Sequence, residues 1–510
     1  MVKLQAIIVG ALLACNLNAE RILQTASITS TSAQSCVVPP PPPPAPGCIT
    51  PTAPAPVLNN NVVYGANNNL VGNLNTLVGS QNTVNGYLNN IYGNQNIGLG
   101  TGNTVVGSVN ALSGNNNQVA GNLNLVDGSK NLLTGSGNGV KGDWNSLAGD
   151  LNKLIGSGNQ VTGSVNTVNG NLNTLANSNF NTVNGFQNVL NQANYNNVAG
   201  AGNYLQGAAN NVVGNVNTLV GNYNVVGGSS NNVAGSANGI AGDCNDVVGN
   251  SNGVIGSTNN INGNINVVTG NANNLQGSSN VVAGSGNTQI GNNSNIIGNL
   301  NTGIGSSNNI YGTLNNVLGN QNTASGISNT IVGNQNLAAG VANTQIGSNN
   351  VAVGNSNSQF GNLNTAIGCD NTAVGVGNTQ IGNANFAYGN SNNLNGNVNT
   401  AIGNNNIAYG SVNTILGDAN LVGGSFNQVS GVSNTAIGNT NVITGNSNYI
   451  SGSSNAVNGV QNGVIGQGNL VVGSQNKIVS TTASNVVLPG APAPPKPQPI
   501  LVPGCAACGC

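Results

Sequence analysis

The segment Gly65-Ala-Asn-Asn-Asn-Leu-Val-Gly72-Asn-Leu-Asn-Thr-Leu-Val-Gly79 decides the reading of this chain. Glycine returns every seven residues, and asparagine stands three places after each glycine. Read outward from here, glycine holds position 1 of the unit from Gly65 to Gly170 and again from Gly200 to Gly473, which makes 16 and 40 units. Position 4 is Asn in 55 of these 56 units, and Ser294 is the exception. Between the two blocks, residues 177–199 form three looser units of eight, seven and eight residues, with Asn177 and Gln192 where glycine is expected. One extra residue per coil is the pattern of a bulge. The repeat as a whole occupies residues 58–479.

A period of seven invites a coiled coil, which needs apolar a and d positions separated by helix formers. Here each unit carries Gly and nearly every one Asn, at a cost of roughly 1 kcal/mol or more per heptad in a helix. Val, Ile, Leu and Thr crowd instead into positions 5 to 7, so the unit reads as a short strand followed by a Gly corner that needs positive φ or close backbone approach. The predicted fold is all-β, a long β-solenoid or β-roll, with two units (14 residues) per coil as the simplest closure and three as the alternative. About 30 coils at about 4.8 Å per step would give a rod on the order of 140 Å.

Alternation along a strand puts positions 4 and 6 on one side and 5 and 7 on the other. Position 6 is Val, Leu or Ile in nearly all early units, Gly98 excepted, so it is expected to face inward together with an Asn ladder at residues such as Asn68, Asn75, Asn364 and Asn399. Buried amides of this kind must bond to one another. From Gly284 to Gly403 position 6 becomes mainly Ala, Gln or Gly and the bulky residue moves to position 7, as in Asn364-Thr-Ala-Ile-Gly368. If the register holds, an apolar stripe lies outside; if it slips by one, the other face turns in.

The segments Asn-Thr-Ala-Ile-Gly at Asn364, Asn399 and Asn434, and Asn371-Thr-Ala-Val-Gly375, resemble the head repeats of YadA-like trimeric autotransporter adhesins. That resemblance implies a left-handed β-roll of 14-residue coils, assembled as trimers that bind host matrix or other cells. It is strongest over residues 284–438. The stalk and membrane-anchor barrel of that family have no counterpart in the sequence.

Residues 1–19 carry the three parts of a secretory signal peptide, with lipidation at Cys15 of Leu12-Leu13-Ala14-Cys15 as the alternative outcome. A Pro/Cys-rich linker (20–57) holds Cys36, six prolines from Pro39 to Pro44, and Cys48; a second such tail (480–510) ends in Cys505, Cys508 and Cys510. In a secreted chain these thiols are expected to be oxidised, and an odd number in the mature protein points to at least one intermolecular bond or a free thiol. An internal pair such as Cys36 with Cys48 is the other option.

Seven basic and eight acidic residues in 510 provide no basic footprint for nucleic acid or an anionic membrane surface. There is no histidine, hence no Ser/His or Cys/His pair, and neither an enzyme, a metal nor a cofactor is expected. Asp143 and Asp150, at the same turn position of consecutive units, are the one pair that mimics a two-carboxylate site. Asn292-Asn293-Ser294 is the sole glycosylation sequon, making Asn292 the candidate acceptor. No segment has the apolar length of a membrane-spanning helix. The expected function is a secreted structural or adhesive rod that self-associates laterally and through its terminal cysteines into a coat, sheath or fibre. Two other functions stay open: ice binding through a flat solenoid face, against which stands the intermittent Thr at position 5, and adhesion to a cell-surface or matrix ligand.

Overall fold

The computed structural model describes residues 60–480 and the backbone of the strand Asn485–Val487. The expected leader, the linker, nearly all of the C-terminal tail, and Cys15, Cys36, Cys48, Cys505, Cys508 and Cys510 lie outside the described residues. Every regular element among the described residues is a strand, most of them three residues long. The chain divides into two compact units, one ending at Ser279 and one beginning at Asn280.

In the first unit two parallel sheets face each other. Face A stacks strands such as Val62–Tyr64, Thr76–Val78 and Asn90–Tyr92; face B stacks Asn69–Val71, Thr83–Tyr87 and Ile97–Thr101. Residue i pairs with residue i+14, as in Thr76 with Asn90 and Asn69 with Thr83, so two heptads make one coil and successive heptads alternate between faces. The second unit repeats this plan, with Thr288–Ile290 and Thr302–Ile304 on its face A and Asn295–Asn299 and Asn309–Thr313 on its face B.

The chemistry of the heptad explains this geometry position by position. Position 1 must be glycine for two reasons together. At Gly221 φ is +138°, a conformation that side chains resist, and a Cβ would stand 1.9 Å from the carbonyl oxygen of Gly235 in the next coil. Position 4 is buried, and its amide spans coils. Asn131 donates from Nδ2 to Oδ1 of Asn117 (3.0 Å) and to the carbonyl of Gly142 (2.8 Å), while its backbone N–H also reaches Asn117 Oδ1 at 3.0 Å. Position 6 packs into the narrow interior, where Leu77, Ile91, Val105 and Leu133 are fully buried. Positions 5 and 7 point out.

Residues 163–206 depart from the 14-residue rule in the expected place. Pairing there steps by 15, as in Thr167 with Thr182 and Val189 with Tyr204. The inserted Asn177 and Gln192 take φ of 50° and 49°, and the following Ser178 and Ala193 are buried where glycine stands elsewhere. Two residues thus make the corner that a single glycine makes in the regular coils.

The zone of small inward residues keeps the register. In the second unit Ala352, Ala366, Ala373 and Ala387 are fully buried at position 6, while Ile346 is 43% and Ile367 42% exposed at position 7. The bulky side chains therefore stand outside.

Candidate functional site

Because heptads alternate between faces, every second unit belongs to the same outer surface. Sorted this way, face A of the second unit carries at position 5 the rank Thr288, Thr302, Asn316, Thr330, Thr344, Ser358, Thr372, Phe386, Thr400 and Thr414. Each is the direct strand partner of the next. Threonine fills seven of these ten places, and a serine hydroxyl fills an eighth. On face B the matching rank from Asn295 to Leu421 has three threonines, Thr323, Thr365 and Thr379. The Thr that looks intermittent along the sequence is segregated in space, which corrects the objection raised from the sequence.

Beside this rank runs a second one at position 7: Ile290, Ile304, Leu318, Val332, Ile346, Phe360, Val374, Tyr388, Ile402 and Leu416. All ten are bulky and apolar or aromatic, and Leu318 and Leu416 are each 43% exposed. Rank neighbours repeat at the inter-strand distance of about 4.8 Å, and the two ranks lie about 6.7 Å apart along the strand. No Asp, Glu, Lys or Arg points out of these ten strands. The surface is therefore a two-column grid of hydroxyls, methyls and branched aliphatics, held at backbone spacing and free of formal charge.

Such a grid lacks the parts of a reaction centre and is a lattice of weak, regularly spaced contacts. Among the described residues no three His, Cys, Asp or Glu side chains come together. Asp143 and Asp150 lie on opposite edges of the coil, because consecutive turns alternate edges; each accepts from a backbone N–H of the preceding coil, Ser129 at 2.6 Å and Ser136 at 2.7 Å. Asn292 is exposed on a turn, whereas Ser294 of its sequon is buried in the Asn ladder, where its Oγ accepts from the backbone N–H of Asn308 at 3.2 Å.

The four ladder residues singled out from the sequence sit on the inward side. Asn68 is half-buried near the first coil and donates to the Gly79 carbonyl at 2.8 Å; Asn75, Asn364 and Asn399 are fully buried. Asn364 and Asn399 donate to the carbonyls of Gly375 and Gly410 at 2.8 and 2.7 Å. They build the scaffold. The outward apolar stripe at position 7 is legible in the sequence, whereas the Thr rank is hidden in a seven-residue series and emerges only when parity of the unit number separates the faces.

The family model of the grass antifreeze beta roll matches residues 57–135 of the chain. No curated protein matches it. The matched family is a β-roll, in keeping with the solenoid described above, and is not an adhesin head, so the likeness to YadA-like repeats extends to the β-roll architecture alone.

Proposed function

We propose that this chain is an ice-binding protein whose principal contact surface is face A of the second unit. The observation that carries this reading is the Thr rank from Thr288 to Thr414 running beside the apolar rank from Ile290 to Leu416. Hydroxyls at a fixed spacing of about 4.8 Å hold water at intervals close to the repeat of the ice lattice, while the neighbouring aliphatic groups leave that water free to bond to itself. Many such contacts, each weak, act together on a surface that presents the same repeat. The antifreeze β-roll match supports the reading.

That match falls in the first unit, where face A alternates Thr76, Asn90, Thr104 and Gln118, beside Val78, Tyr92, Val106 and Ala120. The second unit is the more regular array, so activity is assigned there. The coat or sheath expected from the sequence depends on Pro/Cys ends outside the described residues, and the ice-binding reading takes its place. The test is thermal hysteresis and ice-recrystallisation inhibition by the full chain. Replacing Thr330, Thr344 and Thr372 by Lys should abolish most of the activity, and replacing Thr323, Thr365 and Thr379 on face B should spare it. Equal activity in both triple variants would refute the assignment, and an inactive parent chain would refute ice binding itself.

A further inference from the structure

One edge of the first unit carries a row of bulky apolar side chains that its turns do not call for. The third residue of each turn takes a left-handed conformation, which large side chains resist; Val165, Phe180, Tyr195 and Tyr223 adopt it with φ of 58–60°. On one edge of the second unit the same turn position reads Asn293, Ser307, Gln321, Gln335 and Asn349, polar throughout. The turn itself is therefore indifferent to bulk.

The row has a definite shape. The rings of Phe180 and Tyr195 are stacked, with centroids 4.8 Å apart and planes 4° from parallel, and they stand on the two turns that hold the inserted Asn177 and Gln192. Bulges of this kind often re-aim a side chain beside a site. The turn of the next coil is Gly207-Ala208-Ala209, where the Ala209 N–H donates to the Asn194 carbonyl at 2.9 Å; Tyr223 follows one coil later, donating its N–H to the Ala208 carbonyl at 2.9 Å. Tyr195 is 63% and Tyr223 70% exposed. Two aromatic posts thus stand two coil steps apart, about 9.6 Å, with only alanine methyl groups between them.

That spacing matches a polyproline II helix. Three residues at about 3.1 Å each repeat after about 9.3 Å, so prolines i and i+3 fall on successive posts while the two residues between them pass over Ala208 and Ala209. The carbonyls of such a helix have no internal partners. Donors for them are at hand in the two tyrosine hydroxyls and in Asn222, whose Oδ1 accepts from the Ala208 N–H at 2.7 Å and whose NH2 is left to donate. Residues 154–242 contain no charged side chain, which suits a neutral ligand.

We propose that the proline run Pro39 to Pro44 of this same chain folds back along the edge and docks on Tyr195 and Tyr223. The run lies outside the described residues, and its place in the sequence puts it within reach. From Pro42 to Asn60 the chain spans up to about 59 Å at about 3.3 Å per residue. Tyr195 stands nine coil steps from Asn67 in the first turn, about 43 Å. Aromatic surfaces receive proline-rich segments readily because polyproline II is preformed and loses little entropy on binding. The proposal is independent of ice binding, since it uses an edge and not a sheet face.

The test uses full-length chains and a synthetic peptide of residues 37–46, titrated by calorimetry, with cellohexaose as comparison. With Pro39 to Pro44 replaced by Ser, one peptide per chain should bind. The parent chain should bind it at least tenfold more weakly, because the tethered run competes at high effective concentration. In the serine background, Tyr195→Ser with Tyr223→Ser should weaken the peptide at least tenfold; Ser251 holds the same turn position on this edge, so the fold tolerates the change. Ala209→Tyr should also weaken it at least tenfold by filling the gap, whereas unspecific aromatic contact would make it bind more tightly. Replacing Pro492, Pro494, Pro495, Pro497 and Pro499 by Ser should leave the parent unchanged. The proposal is overturned if the serine-run chain binds no peptide or binds it no better than the parent. It is equally overturned if Ala209→Tyr binds as well or better, if the C-terminal replacement alone opens the site, or if cellohexaose binds in place of the peptide.

Discussion

Replacing Asn217 by Leu, a side chain of similar size, tests whether the interior amide ladder holds the coils together. Asn217 donates from Nδ2 to Asn203 Oδ1 at 3.0 Å and to the Gly228 carbonyl at 2.8 Å, and its own Oδ1 accepts from the backbone N–H and from Nδ2 of Asn231, both at 3.0 Å. After substitution Asn203 Oδ1 keeps the Asn217 backbone N–H at 2.9 Å, and Asn231 Nδ2 keeps the Gly242 carbonyl at 2.8 Å. The Gly228 carbonyl and the Asn231 N–H lose these partners. Two stranded groups at about 1–3 kcal/mol each, less some gain from a buried Leu, give a loss of about 3 kcal/mol. Asn217→Ser should cost about 1 kcal/mol, because Ser294, the natural case, has Oγ 3.2 Å from the Asn308 N–H and 3.4 Å from the Gly305 carbonyl. Each coil contacts its neighbours, so damage at one rung should spread to the adjacent coils. Native-state hydrogen exchange at Asn231 and its neighbours, alongside denaturant unfolding, reads the effect. If Leu and Ser variants are equally stable, or both match the parent, the ladder is not what holds adjacent coils together.

Three other perturbations probe the corners and the proposed surface. Gly221→Ala forces a Cβ against the Gly235 carbonyl at a φ of +138° and should destabilise by about 3 kcal/mol or more, visible as a lower unfolding midpoint. Ile265 takes φ +59° with its side chain 61% exposed, so Ile265→Asn should stabilise by about 1 kcal/mol; an unchanged or lower melting temperature would show that the exposed side chain has a partner. Phe386 interrupts the Thr rank between Thr372 and Thr400, and Phe386→Thr should raise thermal hysteresis at unchanged fold stability; a drop would mean the rank is not the contact surface.

The heptad alone carried the fold. Gly and Asn at fixed positions exclude a helix, and the clustering of Val, Ile and Leu at positions 5 to 7 locates the strands; closure by two units is the simplest geometry, and the i to i+14 pairing decides it against three. What the linear reading missed was parity. Asp143 and Asp150 look like neighbours at a shared turn position, yet a coil of two units sends them to opposite edges. Thr288 and Thr302 look separated by Asn295, yet they are strand partners, and Asn295 belongs to the other face. A period of seven in sequence is a period of fourteen in space, and each outer surface is legible when alternate units are read together.

The same parity reveals a local departure from the rule that bulk goes inside. Behind the Thr and Ile ranks the interior holds Gln345, Gln359, Ala373, Ala387 and Ala401 on face A, against Ala338, Ala352, Ala366 and Gln380 on face B. Exchanging Leu or Val for Ala there gives up buried apolar area, and the glutamines make good part of the loss by bonding across the coil. Gln345 Nε2 donates to the Leu337 carbonyl and to Gln359 Oε1 at 2.8 and 2.9 Å; Gln359 Nε2 donates to the Val351 carbonyl at 2.8 Å; Gln380 Nε2 donates to the Thr372 carbonyl at 2.6 Å. Each of these carbonyls lies on the opposite face, so the amides tie the two sheets together beneath the grid. Gln345 Oε1 and Gln380 Oε1 are buried without a protein partner, a cost an all-Val interior would avoid. These coils give up core apolar area and leave two glutamine oxygens without a protein partner while placing Ile, Leu and Phe at half-exposed positions. Departures of this kind from the local rules are expected at functional sites, and this one lies in the coils that carry the face assigned to ice, with its small and polar residues drawn from both sheets.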